Sequence, residues 1–259
     1  MTTILHASPI FGPVHSRRLG VSLGINLLPG TGKVCTFDCI YCECGRNSER
    51  KTQEKLPTRE FVIQELEKML QKMQAEGRGP DVLTFAGNGE PTAHPHFAEI
   101  VDDVLLLKEH YFPNARISVL TNGTQVHKPQ VFKALLKVDD NILKLDTVND
   151  HYIQVVDRPA SHYLASEQVE NFARFKGKAK IQTMFMRGIL DNGFDVDNTS
   201  DRYVLPWLEA LKKIAPEEVM IYTIDRETPE KNLKKAPAEV LDAIAEKVRA
   251  LGLKVKVSY

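Results

Sequence analysis

All four cysteines of this 259-residue chain lie between positions 35 and 44. The run reads Cys35-Thr36-Phe37-Asp38-Cys39-Ile40-Tyr41-Cys42-Glu43-Cys44, so three thiols follow a C-x3-C-x2-C spacing and the fourth stands two residues beyond. Cysteines that staple a secreted domain are spread out to close long loops, and these are not. A structural zinc site usually draws its ligands as two separated pairs. No later Cys-x-x-Cys answers this cluster, and the one close histidine pair, His94 and His96, lies far along the chain. A compact thiolate loop suits an iron–sulfur cluster. Three thiolates leave one iron of a [4Fe–4S] cluster without a protein ligand, and an open metal position is where a small molecule can bind. A zinc-binding module without catalysis is the alternative that residue types alone leave open.

Further polar residues fall where a second ligand could be held. Gly87-Asn88-Gly89-Glu90-Pro91-Thr92 follows a β-rich run and reads either as a turn or as a backbone cradle closed by a carboxylate. Asn122, in Thr121-Asn122-Gly123, closes another such run. Lys144 and Asp146 are two apart and share one face of a strand, where burial would demand a partner or a ligand. Met184 alternates with Gln182 and Met186 along a later strand. Arg17 and Arg18 stand side by side before the first expected strand, a placement most often of a solvated surface pair.

These residues sit on an alternation of short β-rich runs and amphipathic helical windows, the pattern of parallel βα units. Strands are expected at Val21 to Leu28, Val82 to Phe85, Ile117 to Leu120, Asn141 to Val148, Lys180 to Met186, Val219 to Ile224 and Leu253 to Ser258. The intervening windows read as helices, the first capped by Thr58 and burying Phe61, Val62, Leu66, Met69, Leu70 and Met73. The last begins near Pro237 and stops at Gly252. About six repeats make an α/β protein with either an incomplete barrel or an open doubly wound sheet. In both arrangements the site belongs at the strand C-termini.

Charge adds a weaker constraint. Lys plus Arg and Asp plus Glu both total 34, which argues against broad, non-specific nucleic-acid binding. The first residues lack the basic segment and apolar run of a secretory signal, no stretch is apolar enough to span a membrane, and a cytoplasmic, reducing location is expected.

Taken together, the cysteine spacing with an aromatic residue, Tyr41, before the last thiol and the Gly87–Thr92 segment after the next strand resemble the radical S-adenosylmethionine (SAM) enzymes. A narrower resemblance, to the wyosine-base (tRNA-imidazoguanosine) synthase-related group, runs through the segment from Phe11 to Asn26, Lys144-Leu145-Asp146, Asp157-Arg158-Pro159 and Tyr222-Thr223-Ile224-Asp225-Arg226. Those tRNA enzymes carry a second cluster on additional N-terminal cysteines, and no cysteine precedes Cys35 here. The resemblance implies a partial (β/α)6 TIM-like barrel in a single domain: an N-terminal segment over 1–20, a core over 21–225, and a C-terminal loop, helix and strand over 226–259. It implies Cys35, Cys39 and Cys42 as ligands of a [4Fe–4S] cluster. Tyr41, Gly87, Asn88, Gly89, Glu90, Asn122, Asp146 and Met184 would bind SAM. Lys144 and Arg158 would be catalytic, and Arg17 and Arg18 would meet substrate. The implied reaction is reductive cleavage of SAM to a 5′-deoxyadenosyl radical, fed by a flavodoxin- or ferredoxin-like electron donor. The substrate is left open among a small molecule, RNA (a wyosine-like tRNA modification) and a protein (glycyl-radical activation).

Overall fold

A computed structural model describes residues 4–16 and 20–259. The elements, in chain order, are β1 (Ile10–Ser16), β2 (Gly20–Ile25), α1 (Arg59–Ala75), β3 (Val82–Phe85), α2 (Phe97–Tyr111), β4 (Arg116–Thr121), α3 (Pro129–Leu135), β5 (Asp140–Lys144), α4 (Asp150–Val156), α5 (Ala165–Ala173), β6 (Lys180–Met184), β7 (Met186–Gly188), α6 (Asp201–Ile214), β8 (Glu218–Tyr222), β9 (Leu233–Lys235), α7 (Ala238–Arg249) and β10 (Lys254–Ser258). One eight-stranded sheet runs β1-β2-β3-β4-β5-β6-β8-β10, and β7 and β9 form a separate ribbon. From β2 to β10 every pairing in the large sheet is parallel. Among the described residues β1 and β10 are not paired with each other, so the barrel is partial, as expected.

The pleat sorts side chains to two faces. Val119, Leu143, Ile181 and Ile221 point toward the helices and join the main core with Phe85, Phe97, Phe172 and Trp207. Their neighbours Leu120, Ile142, Lys144, Gln182 and Tyr222 line the inner cavity instead. Thr58 caps α1 by accepting from Phe61 N at 3.2 Å. The buried face of α1 is Val62, Leu66, Leu70 and Met73. Phe61 is not part of it: in the first turn it faces outward, 46% exposed.

Four boundaries differ from the sequence pattern. Residues 10–16, expected as part of a leading segment, form an antiparallel edge strand. Pro13 cannot donate to a ladder and is tolerated at an edge. The single helix expected around 162–175, between the strands expected at Asn141 to Val148 and Lys180 to Met186, is α5, and a further short helix, α4, precedes it. Asn149 starts α4 by accepting from Tyr152 N at 2.8 Å. The expected strand from Asn141 to Val148 stops at Lys144: Leu145 N still donates to Gln182 O at 3.0 Å, and beyond it Met184 N donates to the Asp146 side chain at 2.9 Å instead. The expected strand from Lys180 to Met186 breaks at Phe185, and Met186 begins the β7–β9 ribbon.

Candidate active site

The cysteine loop leaves β2 and is tied down on two sides by backbone bonds. On one side Val34 N donates to Asn88 O at 2.9 Å and Glu90 N donates to Val34 O at 3.1 Å. This places the thiol loop directly against the Gly87–Glu90 segment. Gly89 has φ +138, and a Cβ there would lie 1.8 Å from Val34 O, so the approach requires glycine. On the other side the end of α4 receives the loop. Asp38 N donates to Asp157 O at 3.0 Å, Ile40 N to Val156 O at 2.9 Å, and Ala160 N to Thr36 O at 2.8 Å.

Held in this way, Cys35, Cys39 and Cys42 face one cavity of about 250 Å³ together with Tyr41, Gly89, Glu90, Asn122 and Lys144. A neighbouring cavity of about 280 Å³ shares Tyr41, Cys42, Gln182 and Tyr222 as a common wall. Cys44, Gly87 and Met184 line this second space. The Oε1 atom of Gln182 is buried there without a hydrogen-bond partner, an acceptor left for a ligand's donor.

Glu90 clips two strand ends together. Its Oε2 accepts from Asn122 N at 2.7 Å. Its Oε1 accepts from Thr92 N at 3.0 Å and from the hydroxyls of Thr92 and Thr121 at 2.5 and 2.6 Å. Burial nonetheless holds its pKa above the ordinary carboxylate value, the donors from Thr121, Thr92 and Asn122 pulling the other way. The Asn122 amide donates to Thr36 Oγ1 at 2.8 Å, inside the cysteine loop.

Lys144 anchors a buried network beside Cys39. Its Nζ pairs with Asp157 Oδ1 at 2.7 Å and touches Asp146 and the Tyr41 hydroxyl. Burial works against this charge, but Asp146 and then Asp157 outweigh it and hold the ammonium well above its usual value. The Cys39 thiol donates to Asp157 Oδ1 at 3.6 Å. Burial pushes the Asp157 carboxyl up to about 6.

The thiols differ among themselves. Burial, followed by the Glu90 charge, pushes Cys35 up to about 12, and burial also raises Cys39. Cys42 is lowered to about 6, chiefly by a hydrogen bond from the Cys44 thiol.

Most expected site residues converge. Cys35, Cys39, Cys42, Tyr41, Gly89, Glu90, Asn122 and Lys144 share the first cavity, with Gly87 and Met184 in the second. Three take other places. The Asn88 side chain turns away, donating to His6 O and Pro29 O at 2.8 Å each. Asp146 stands behind Lys144 and accepts from Met184 N at 2.9 Å. Arg158 is exposed on the outside of the cysteine loop, where its Nε donates to Val155 O at 3.1 Å; it is a surface residue rather than a cavity group. Arg17 and Arg18 lie outside the described residues. Sequence reading did not single out Lys33 or Asp157 as site residues, although Asp157 accepts from the Cys39 thiol and Lys33 is buried against Gly45 O of the cysteine loop. Lys33 lies two residues before Cys35, but nothing in its type announces burial.

Comparisons with known proteins show the family of this chain. Residues 31–197 match the profile of the Radical SAM superfamily. Over 235 residues the chain is 30% identical to a UPF0026 protein of Helicobacter pylori, covering 90% of this chain and 71% of that one. A radical SAM methyltransferase from Sphaerobacter thermophilus superposes with a TM-score of 0.68 at 16% identity, over 92% of this chain and 66% of that one. An archaeal TYW1 gives 0.52 at 11% identity, over 88% and 71%. At such identities the two solved structures speak for the fold alone. No described helix is long and apolar enough to cross a membrane.

Proposed function

Since this chain belongs to the radical SAM superfamily, we propose that it holds a [4Fe–4S] cluster on Cys35, Cys39 and Cys42, binds SAM beside it, and abstracts a hydrogen atom from a substrate. The observation that carries this reading is the wall shared by the three thiols and the Gly89–Glu90 segment, stapled to each other through Val34. The donor set fits the group: three thiols facing one buried cavity, with no fourth protein thiol beside them in that cavity. Bound there, the cluster and SAM would supply one-electron reductive cleavage of the sulfonium, to methionine and a 5′-deoxyadenosyl radical, with the electron delivered by an external carrier.

The chain's own residues provide binding, orientation and exclusion of water. The backbone of Gly87 to Gly89 offers carbonyls to the SAM amino group. Glu90 places a buried negative charge on the same side and fixes the position of Asn122. Met184 and Tyr41 supply apolar surface for the adenine. Lys144, braced by Asp146 and Asp157, sets a fixed cation on the wall of the same cavity. Buried walls keep bulk water from the reacting carbon. The electron source in this reading is a flavodoxin- or ferredoxin-like carrier of the cytoplasm. Anaerobic reconstitution with iron and sulfide tests it: about four irons per chain with saturable SAM binding supports the proposal. A colourless protein that retains only zinc would sink it in favour of a non-catalytic metal module.

A further inference from the structure

The segment before β1 brings His6 to the wall of the second cavity, with Cys44, Gly87 and Met184. Three contacts fix it there. Asn88, whose side chain turns away from both cavities, clasps the backbone of His6 from two sides. His6 N donates to Asn88 Oδ1 at 2.8 Å, and Asn88 Nδ2 donates back to His6 O at 2.8 Å. Asn26 Nδ2 donates to the same oxygen at 3.3 Å. The imidazole itself stacks on Phe11, with ring centroids 4.3 Å apart and planes inclined by 30°. Phe11 in turn lies flat over Gly24, where any Cβ would run into its ring.

The backbone and one ring face of His6 are thus engaged, but its ring nitrogens are not. Among the described residues every hydrogen bond of residue 6 is made by its backbone. Burial, followed by the Arg226 charge, lowers the imidazole from its ordinary value, so near neutral pH it offers one N–H and one lone pair. A few fixed polar groups set in a largely apolar wall are what ligand recognition requires, and a histidine kept only for its stacking on Phe11 would need no clasp. We infer that His6 is a SAM-contact residue that hydrogen-bonds the adenosine half, and that Asn88 is the positioning residue that holds it there. The inference rests on the proposed place of SAM. Glu90 and Asn122 line the first cavity, whereas Met184, proposed for the adenine, lines the second with His6. The half of SAM that shares a space with His6 is therefore the adenosine. Asn88 then has a part in the site although its side chain faces away: it joins the glycine segment to the chain's first described residues.

The test compares wild type, H6F, N88A and the double variant, each reconstituted with iron and sulfide, by anaerobic equilibrium dialysis against SAM. H6F keeps a flat ring on Phe11 and removes the ring nitrogens. It should load iron and melt like the wild type, yet bind SAM roughly three- to tenfold more weakly, the worth of one hydrogen bond. N88A should weaken SAM by a similar factor. The double variant should bind no worse than the weaker single one, because members of one network are not additive. Wild-type SAM affinity in H6F overturns the contact. An H6F that melts low or stays without iron makes His6 a plain stacking residue and overturns it as well. Losses that multiply in the double variant overturn the positioning role of Asn88. If N88A does not load iron, N88D, which keeps the acceptor for His6 N, takes its place in the cycle. A wild type that loads iron but binds no SAM would fall on the proposed function instead.

Discussion

The carbonyl oxygen of Val34 stands 1.8 Å from where a Cβ on Gly89 would lie. The thiol loop and the glycine segment therefore meet backbone to backbone. Gly89→Ala adds backbone strain at positive φ, roughly 1–3 kcal/mol, and a direct clash with Val34 O on top of it. The expected result is a fold that persists with a displaced cysteine loop: lower melting temperature and less iron retained after reconstitution. Iron retention equal to wild type would mean the contact does not position the loop.

Glu90→Gln replaces one accepting oxygen with an amide N–H2 among donors from Thr92, Thr121 and Asn122. Setting donor against donor in a buried site costs about 1–3 kcal/mol. Denaturant unfolding should register that loss, and equilibrium binding should show weaker SAM affinity with the cluster kept. Unchanged SAM affinity would remove Glu90 from the binding set.

Lys144→Met leaves Asp146 and Asp157 buried without their cation. Breaking a buried pair in this way costs about 3–5 kcal/mol. The iron-free variant should unfold at clearly lower denaturant, and the further change Asp157→Asn should recover part of the loss. No recovery would show that the two carboxyls are not held by Lys144.

Those partners explain what was legible in advance. The cysteine loop and the Gly87–Glu90 segment carry their chemistry in residue type and close spacing, so both could be read directly, as could the six βα repeats. Asp157 meets Cys39 across more than a hundred residues, and the buried Lys33 finds its acceptors in Gly45 and Asp38 of the folded loop. No local pattern records such meetings. The same holds for Asn88 and Arg158, whose side chains point away from the cavity. Strand β1 was hidden by Pro13, α4 is too short to show a period, and the three-residue strands β7 and β9 exist only through each other.

Cys42 offers a test by pH. Its thiol lies at about 6, and the thiolate is the reactive form. In reduced, iron-free protein, alkylation at Cys42 should be slow below pH 6, rise through it, and level off near neutrality, while Cys35, at about 12, lags throughout. Cys44→Ala removes the main donor, so the Cys42 rate should then still be climbing between pH 7 and 9. Identical pH profiles for the two proteins, read by peptide mass spectrometry, would contradict the Cys44–Cys42 hydrogen bond.

The central claim is that the thiol loop exists to make SAM reactive. Its most direct test is the yield of 5′-deoxyadenosine when reconstituted protein, SAM and dithionite are mixed anaerobically, run beside Cys39→Ala. The account predicts 5′-deoxyadenosine and methionine from the wild type and none above background from the variant, with both proteins folded. Equal cleavage by the variant, or no cleavage by a wild type that holds its full iron, would contradict it.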